Sequence, residues 1–139
     1  MLKYNLSQID TISKKILSNL SSTDCIFLFG ELGSGKTTFT RSLINGLQEK
    51  NKINKTEDLS PTFNLLYEYE IKSLKVMHYD LYRLEDIKEV DQLGIFENSS
   101  AIFLVCFSEE ISILLFLIAI GIWLIRSFSF NTNIISLIF

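Results

Sequence analysis

Ile9, Ile12, Ile16, Leu17 and Leu20 recur three or four positions apart, the spacing that lines one face of a helix. Ser7 and Asp10 form an S-x-x-D capping box ahead of them, so a capped amphipathic helix is expected over about residues 7–20. CIFLF at 25–29 is an unbroken apolar run between Asp24 and Gly30, the pattern of a strand buried on both faces. Glycines follow at once, and FTRSLINGL then places Phe39, Leu43, Ile44 and Leu47 on one side of a second helix. The polar stretch 48–60 reads as an exposed loop ended by Pro61. NLLYEYEI and LKVMHYDLY alternate well enough to be two strands, and the short Lys72–Ser73 link makes them a hairpin. EDIKEVDQL, from Glu85, predicts a short helix stopped at Gly94, and AIFLVCF at 101–107 predicts another buried strand. No internal repeat is visible.

Composition divides the chain where this pattern ends. Residues 1–100 carry 12 of the 13 basic and 14 of the 16 acidic residues, and 39 of those 100 are apolar, an ordinary globular composition. In the last 39 residues 27 are apolar, and charge is confined to Glu109, Glu110 and Arg126. ISILLFLIAIGIWLI at 111–125 is apolar at 13 of 15 positions. A helix of that length spans roughly 22 Å against a hydrocarbon core of about 30 Å, short for a membrane span. MLKYNLSQID lacks the apolar region of a signal peptide, so a cytoplasmic protein with no membrane partner is expected. A net charge of −3 supplies no global field for nucleic acid, which leaves any RNA contact local or indirect. At 139 residues the chain is one domain's worth. Cys25 and Cys106, 81 positions apart with no CxxC, indicate neither a disulfide framework nor a zinc site and read as buried thiols.

The sharpest chemical signal is Gly30-Glu31-Leu32-Gly33-Ser34-Gly35-Lys36-Thr37, a G-x4-G-K-T Walker A motif between a predicted strand and a predicted helix. The glycines let backbone N–H groups point inward around a phosphate chain, and the helix directs its positive end at the same anion. Lys36 would neutralise the β and γ phosphates, the Thr37 hydroxyl would bind Mg²⁺, and Thr38 would add an α-phosphate contact. Hydrolysis needs a further carboxylate, and Asp80 in HYDLYR, near a strand end, is the best placed candidate. The same residue reads equally as a turn cap or an Arg83 partner. His78 shares its strand face, as a packed histidine or as part of the site. Ser60-Pro61-Thr62-Phe63 is either a turn initiator or a switch that meets the γ-phosphate. Strand, phosphate loop and helix together predict an α/β three-layer P-loop NTPase fold with a mixed, mostly parallel sheet. A small-molecule kinase would need an arginine-rich lid, and Arg41, Arg83 and Arg126 are scattered.

LFGELGSGKTTFTRSL, SPTFNLLYEYE, VMHYDLYRL, the short acidic helix and LGIFE, in this order over about residues 5–105, resemble the TsaE family of bacterial P-loop ATPases. The resemblance implies a supporting ATPase that works with TsaB and TsaD to place threonylcarbamoyl on the adenosine next to the anticodon of tRNAs reading ANN codons, touching tRNA only indirectly. It implies ATP and Mg²⁺ as cofactors, with Gly33, Ser34, Gly35, Lys36, Thr37 and Thr38 around the phosphates. Thr37 and Asp80 would face the metal, Thr62 would be the switch residue, and Ser7 and Thr11 would lie near the adenine. One departure stands out. Where the family has E-W-P-E, whose first glutamate is a magnesium ligand, this chain has Cys106-Phe107-Ser108-Glu109, and a thiol is a poor donor for Mg²⁺. The expected organisation is therefore an ATPase domain over 1–105 and an atypical apolar tail over 106–139. That tail is expected to be a degraded or out-of-frame end of the same domain. A nucleotide-binding but hydrolysis-deficient homologue is the alternative.

Overall fold

The computed structural model describes residues 2–3, 6–55, 65–81, 84, 89, 92–94, 101–107, 117–118, 120–121, 124 and 133–139. Within these, six strands form one sheet: β1 (Leu2–Lys3), β2 (Cys25–Phe29), β3 (Leu66–Ile71), β4 (Leu74–Asp80), β5 (Ala101–Phe107) and β6 (Ile134–Ile138). Their spatial order is β1-β6-β2-β5-β4-β3. Every neighbouring pair is parallel except the β3–β4 hairpin, so the sheet is mixed and mostly parallel, as the sequence predicts. The hairpin turns through Lys72–Ser73, and Lys72 takes φ 56° to close it.

Two helices, α1 (Ile9–Leu17) and α2 (Lys36–Lys50), pack on each other and cover one face of the sheet. Ile9, Ile12 and Ile16 from α1 meet Phe39, Leu43, Ile44 and Leu47 from α2 over Ile26, Leu28, Leu104 and Leu137. Alternation along the central strands sends the other side chains to a second core of Phe27, Met77, Tyr79, Phe103, Val105 and Phe107, with Ile118 packed among them. Strands apolar on both sides are what a parallel sheet with both faces covered requires. β5 is buried at all seven positions.

Two helix boundaries shift, and the tail adds a strand. The first helix is preceded by a 3-10 turn at Leu6–Gln8, so its N-cap is Gln8 rather than the predicted Ser7. The second helix runs on through Gln48 to Lys50, where a loop was expected, because Gln48 is buried with Leu47. The apolar tail contributes β6, which lies inside the sheet between β1 and β2. Asp24 fixes that strand's start: its carboxylate accepts bonds from the Ser21 amide (2.8 Å) and from the Asn133 amide and side chain (both 3.2 Å). The predicted helix at 85–93 lies mostly outside the described residues, as do Ser60-Pro61-Thr62-Phe63 and Arg83. No helix among the described residues is long and apolar enough to cross a membrane.

Candidate functional site

The candidate site forms where β2 ends and α2 begins, at the carboxyl ends of parallel strands, the position at which open α/β sheets hold ligands. The loop between them bends through Gly35, whose φ of 111° is one that side-chain-bearing residues rarely adopt, and Gly35 is the N-cap of α2. At Gly30 the constraint is close approach: a Cβ there would sit 2.6 Å from Ser34 Oγ and 2.9 Å from the Phe139 carbonyl oxygen. Lys36 is buried, and its ammonium donates to the carbonyls of Gly30 (2.6 Å) and Glu31 (2.8 Å), folding the loop over its own lysine. Gly33, Gly35, Lys36, Thr37 and Thr38 line a cavity of about 150 Å³, with Thr37 and Thr38 exposed on the first turn of the helix. The Ser34 hydroxyl is buried and has no hydrogen-bond partner.

The opposite wall is made by strand ends. Asp80, the last residue of β4, lines the cavity, and its amide donates to the Leu65 carbonyl (2.9 Å). Its register partner on β5 is Cys106, which lines the same cavity. Behind them stands His78, with Nε2 at 3.5 Å from Cys106 Sγ. Burial lowers the His78 pKa from its ordinary 6.5 to about 4, so the ring is neutral near pH 7. Burial also raises the Cys106 pKa strongly, and the Asp80 carboxylate adds to the effect against the opposing influence of Lys36 and Thr40. Cys106 is consequently a protonated thiol.

Thr37 and Asp80 offer oxygen donors of the kind Mg²⁺ takes, whereas the wall position held by Cys106 does not fit that ion. No group of three or more His, Cys, Asp or Glu side chains is arranged to hold a metal among the described residues. The fold thus brings the loop residues and Asp80 together. Ser7 and Thr11 line a second cavity of about 540 Å³ between α1 and β6, which shares no lining residue with the cavity at the loop. Thr62 lies outside the described residues. Sequence reasoning missed the contact of Cys106 with His78. His78 and Asp80 can be put on one face from their spacing, but the register that sets β4 against β5 is not visible in the sequence.

Over residues 4–127 the chain matches the family described as threonylcarbamoyl adenosine biosynthesis protein TsaE, a match that runs past Val105 into the apolar tail. It is 37% identical over 116 residues to the tRNA threonylcarbamoyladenosine biosynthesis protein TsaE of Rickettsia felis, covering 83% of this chain and 66% of that protein. The protein of the same name from Haemophilus influenzae is 38% identical over 87 residues, 61% of this chain and 52% of its own length. The one from Bacillus subtilis is 37% identical over 93 residues, 67% and 54% respectively. The matched stretch therefore spans between about half and two thirds of these relatives. Among solved structures, the crystal structure of YdiB from Bacillus subtilis aligns with a TM-score of 0.48 at 26% identity, over 73% of this chain and 60% of that one.

Proposed function

The chain belongs to the TsaE family, and from that premise we propose that it binds ATP on the Gly30–Thr37 loop and serves tRNA threonylcarbamoyladenosine biosynthesis as a supporting ATPase. TsaD-like and TsaB-like proteins would be its partners, with tRNA met only through them, in the cytoplasm. The observation that carries this reading is the facing of two walls: a phosphate loop closed over Lys36, and the Asp80 carboxylate across the same cavity. Backbone N–H groups and the start of α2 hold the phosphates, Lys36 offsets their charge, and Thr37 and Thr38 add hydroxyl contacts. Asp80 orients the water that attacks the γ-phosphorus as the bond to the leaving ADP oxygen breaks, and it accepts that water's proton. Mg²⁺, arriving with the triphosphate, would neutralise phosphate charge, with Thr37 and Asp80 as its oxygen donors. Ser7 and Thr11, in their own cavity beside α1, would meet the adenine end of the nucleotide, and Thr62 would be the switch. An altered reading frame near residues 98–106 would account for the loss of E-W-P-E and the onset of the tail, and the coding DNA tests it.

The test is ATP binding by calorimetry and phosphate release by the purified chain, each with and without the two partners, and with Lys36→Ala as control. Binding with partner-stimulated turnover is expected. Failure of the chain to bind ATP more tightly than Lys36→Ala overturns the reading. Cys106 favours a second reading, a homologue that binds ATP but hydrolyses it poorly. Cys106→Glu separates the two: at least about a tenfold gain in turnover supports an intact scaffold limited by its metal wall.

A further inference from the structure

The groove between α1 and α2 holds a polar cavity that the ATPase reading leaves without an occupant. It encloses about 330 Å³ and shares one lining residue, Thr38, with the phosphate cavity, so the two adjoin there. Ser13 of α1 lines it as well. That residue is 1% exposed, and its hydroxyl has no hydrogen-bond partner among the described residues. A serine inside a helix ordinarily points to solvent or bonds the carbonyl one turn earlier. Ser13 does neither, and a buried hydroxyl left this way is unfavourable unless something polar meets it. The walls around it are held in place: Ser42 Oγ donates to the Asp10 carboxylate across the two helices (2.9 Å), and Gly46 packs directly on Leu17.

Charge selects the ligand. Lys14, Arg41 and Lys55 line the cavity and are exposed, against the carboxylates of Asp10 and Glu49. One of those carboxylates, Asp10, already accepts the Ser42 bond. Three cations against two carboxylates make a locally positive site in a chain whose net charge is −3. Ammonium and guanidinium groups only donate, and the Ser13 hydroxyl adds a donor from the buried side. Donors converging from several directions suit a compact group that accepts on all of its faces, which is a tetrahedral oxyanion. We propose that the α1–α2 groove binds a small oxyanion of the phosphate class, with Ser13 Oγ donating from the floor and Lys14, Arg41 and Lys55 from the rim. The site stands apart from the nucleotide reading except at Thr38. Two anions that meet at one residue repel, so phosphate in the groove weakens ATP, and ATP weakens phosphate by the same factor.

Inorganic phosphate is the probe. An empty Walker loop would itself take phosphate, so the full chain is titrated by calorimetry with its loop filled by a non-hydrolysable ATP analogue, and Lys36→Ala is titrated without nucleotide. One phosphate site with a dissociation constant of about 1 mM is expected in both arms. Ser13→Ala deletes a hydroxyl that has no partner in the fold and should weaken phosphate at least about fivefold, and Lys14→Gln at least about threefold. Phosphate affinity unchanged in both variants overturns the proposal, as does the absence of phosphate binding in both arms, which would leave Ser13 to water. Should Ser13→Ala fail to fold, amide NMR shifts of the unaltered chain decide: movement at Ser13 and Lys14 on adding phosphate supports the site, and movement confined to the Gly30–Thr37 loop overturns it. Saturating phosphate should also weaken ATP by about twofold to fivefold. A weakening that persists undiminished in Ser13→Ala belongs to competition at the loop and overturns the coupling. Failure of the analogue to bind counts against the nucleotide reading alone, because the Lys36→Ala arm reads the groove without it.

Discussion

The two walls of the cavity are built from different kinds of sequence. The loop wall, Gly30 to Thr38, is one continuous stretch, and its parts depend on neighbours: Gly35 supplies the turn, Lys36 bonds back to Gly30 and Glu31, and the helix follows directly. The strand wall is assembled from β4 and β5, and Asp80 meets Cys106 only through their register. Local construction lets the loop wall keep its form while the strand wall carries a thiol where an oxygen ligand is expected. On the proposed reading, binding of phosphate and handling of metal and water would then be separable properties in this fold.

The sharpest way to break that separation is Asp80→Asn. It should cut ATP turnover by at least about a hundredfold, the order expected for losing a positioned carboxylate. ATP affinity by calorimetry should stay within about threefold, and a comparable loss of affinity would merge the two walls into one. Lys36→Ala should do the reverse, weakening ATP binding by about a hundredfold, or about 3 kcal/mol, for the loss of charge-assisted contacts to phosphate. Equilibrium binding of a fluorescent ATP analogue checks it. Leu137→Ala tests whether the tail strand supports the loop wall. Removing this buried side chain should cost about 3 kcal/mol in urea unfolding, and a change of less than about 0.5 kcal/mol would show that β6 is dispensable.

An effect of similar size comes from pH. His78 has its pKa lowered to about 4 in the folded state and about 6.5 when unfolded, so between these values the unfolded chain holds a proton that the folded chain does not. Stability is therefore full above about pH 6.5 and declines as pH falls towards 4, by up to about 3 kcal/mol. The parent's denaturant midpoint should fall as pH drops from about 6.5 to 4, and that of His78→Gln, which lacks the titrating ring, should fall less over the same window.

What could be read in advance follows the same division. Strand, phosphate loop and helix were legible because the Walker motif, the CIFLF run and the Phe39–Leu43–Leu47 face each lie in one window. The β3–β4 hairpin was legible from its two-residue link. The place of β6 was not, because its position between β1 and β2 is set by pairing with distant strands, which no local pattern encodes. The helix start was misplaced by two residues, because a 3-10 turn at Leu6–Gln8 precedes the α-helix and moves its start to Ile9. The contact between His78 and Cys106 depends on strand order and register, which no local pattern encodes.

The tail and the phosphate loop also touch. The Phe139 amide donates to the Phe29 carbonyl (2.9 Å), the Phe139 carbonyl crowds Gly30, and the Phe139 ring packs 5.5 Å from that of Phe39 on α2. Whatever steadies the loop therefore steadies this far strand end, and by linkage the reverse holds as well. In hydrogen–deuterium exchange, ATP should slow the Phe139 amide, which lies more than a hundred residues from the Walker motif. That single proton would be a label-free gauge of occupancy at the loop.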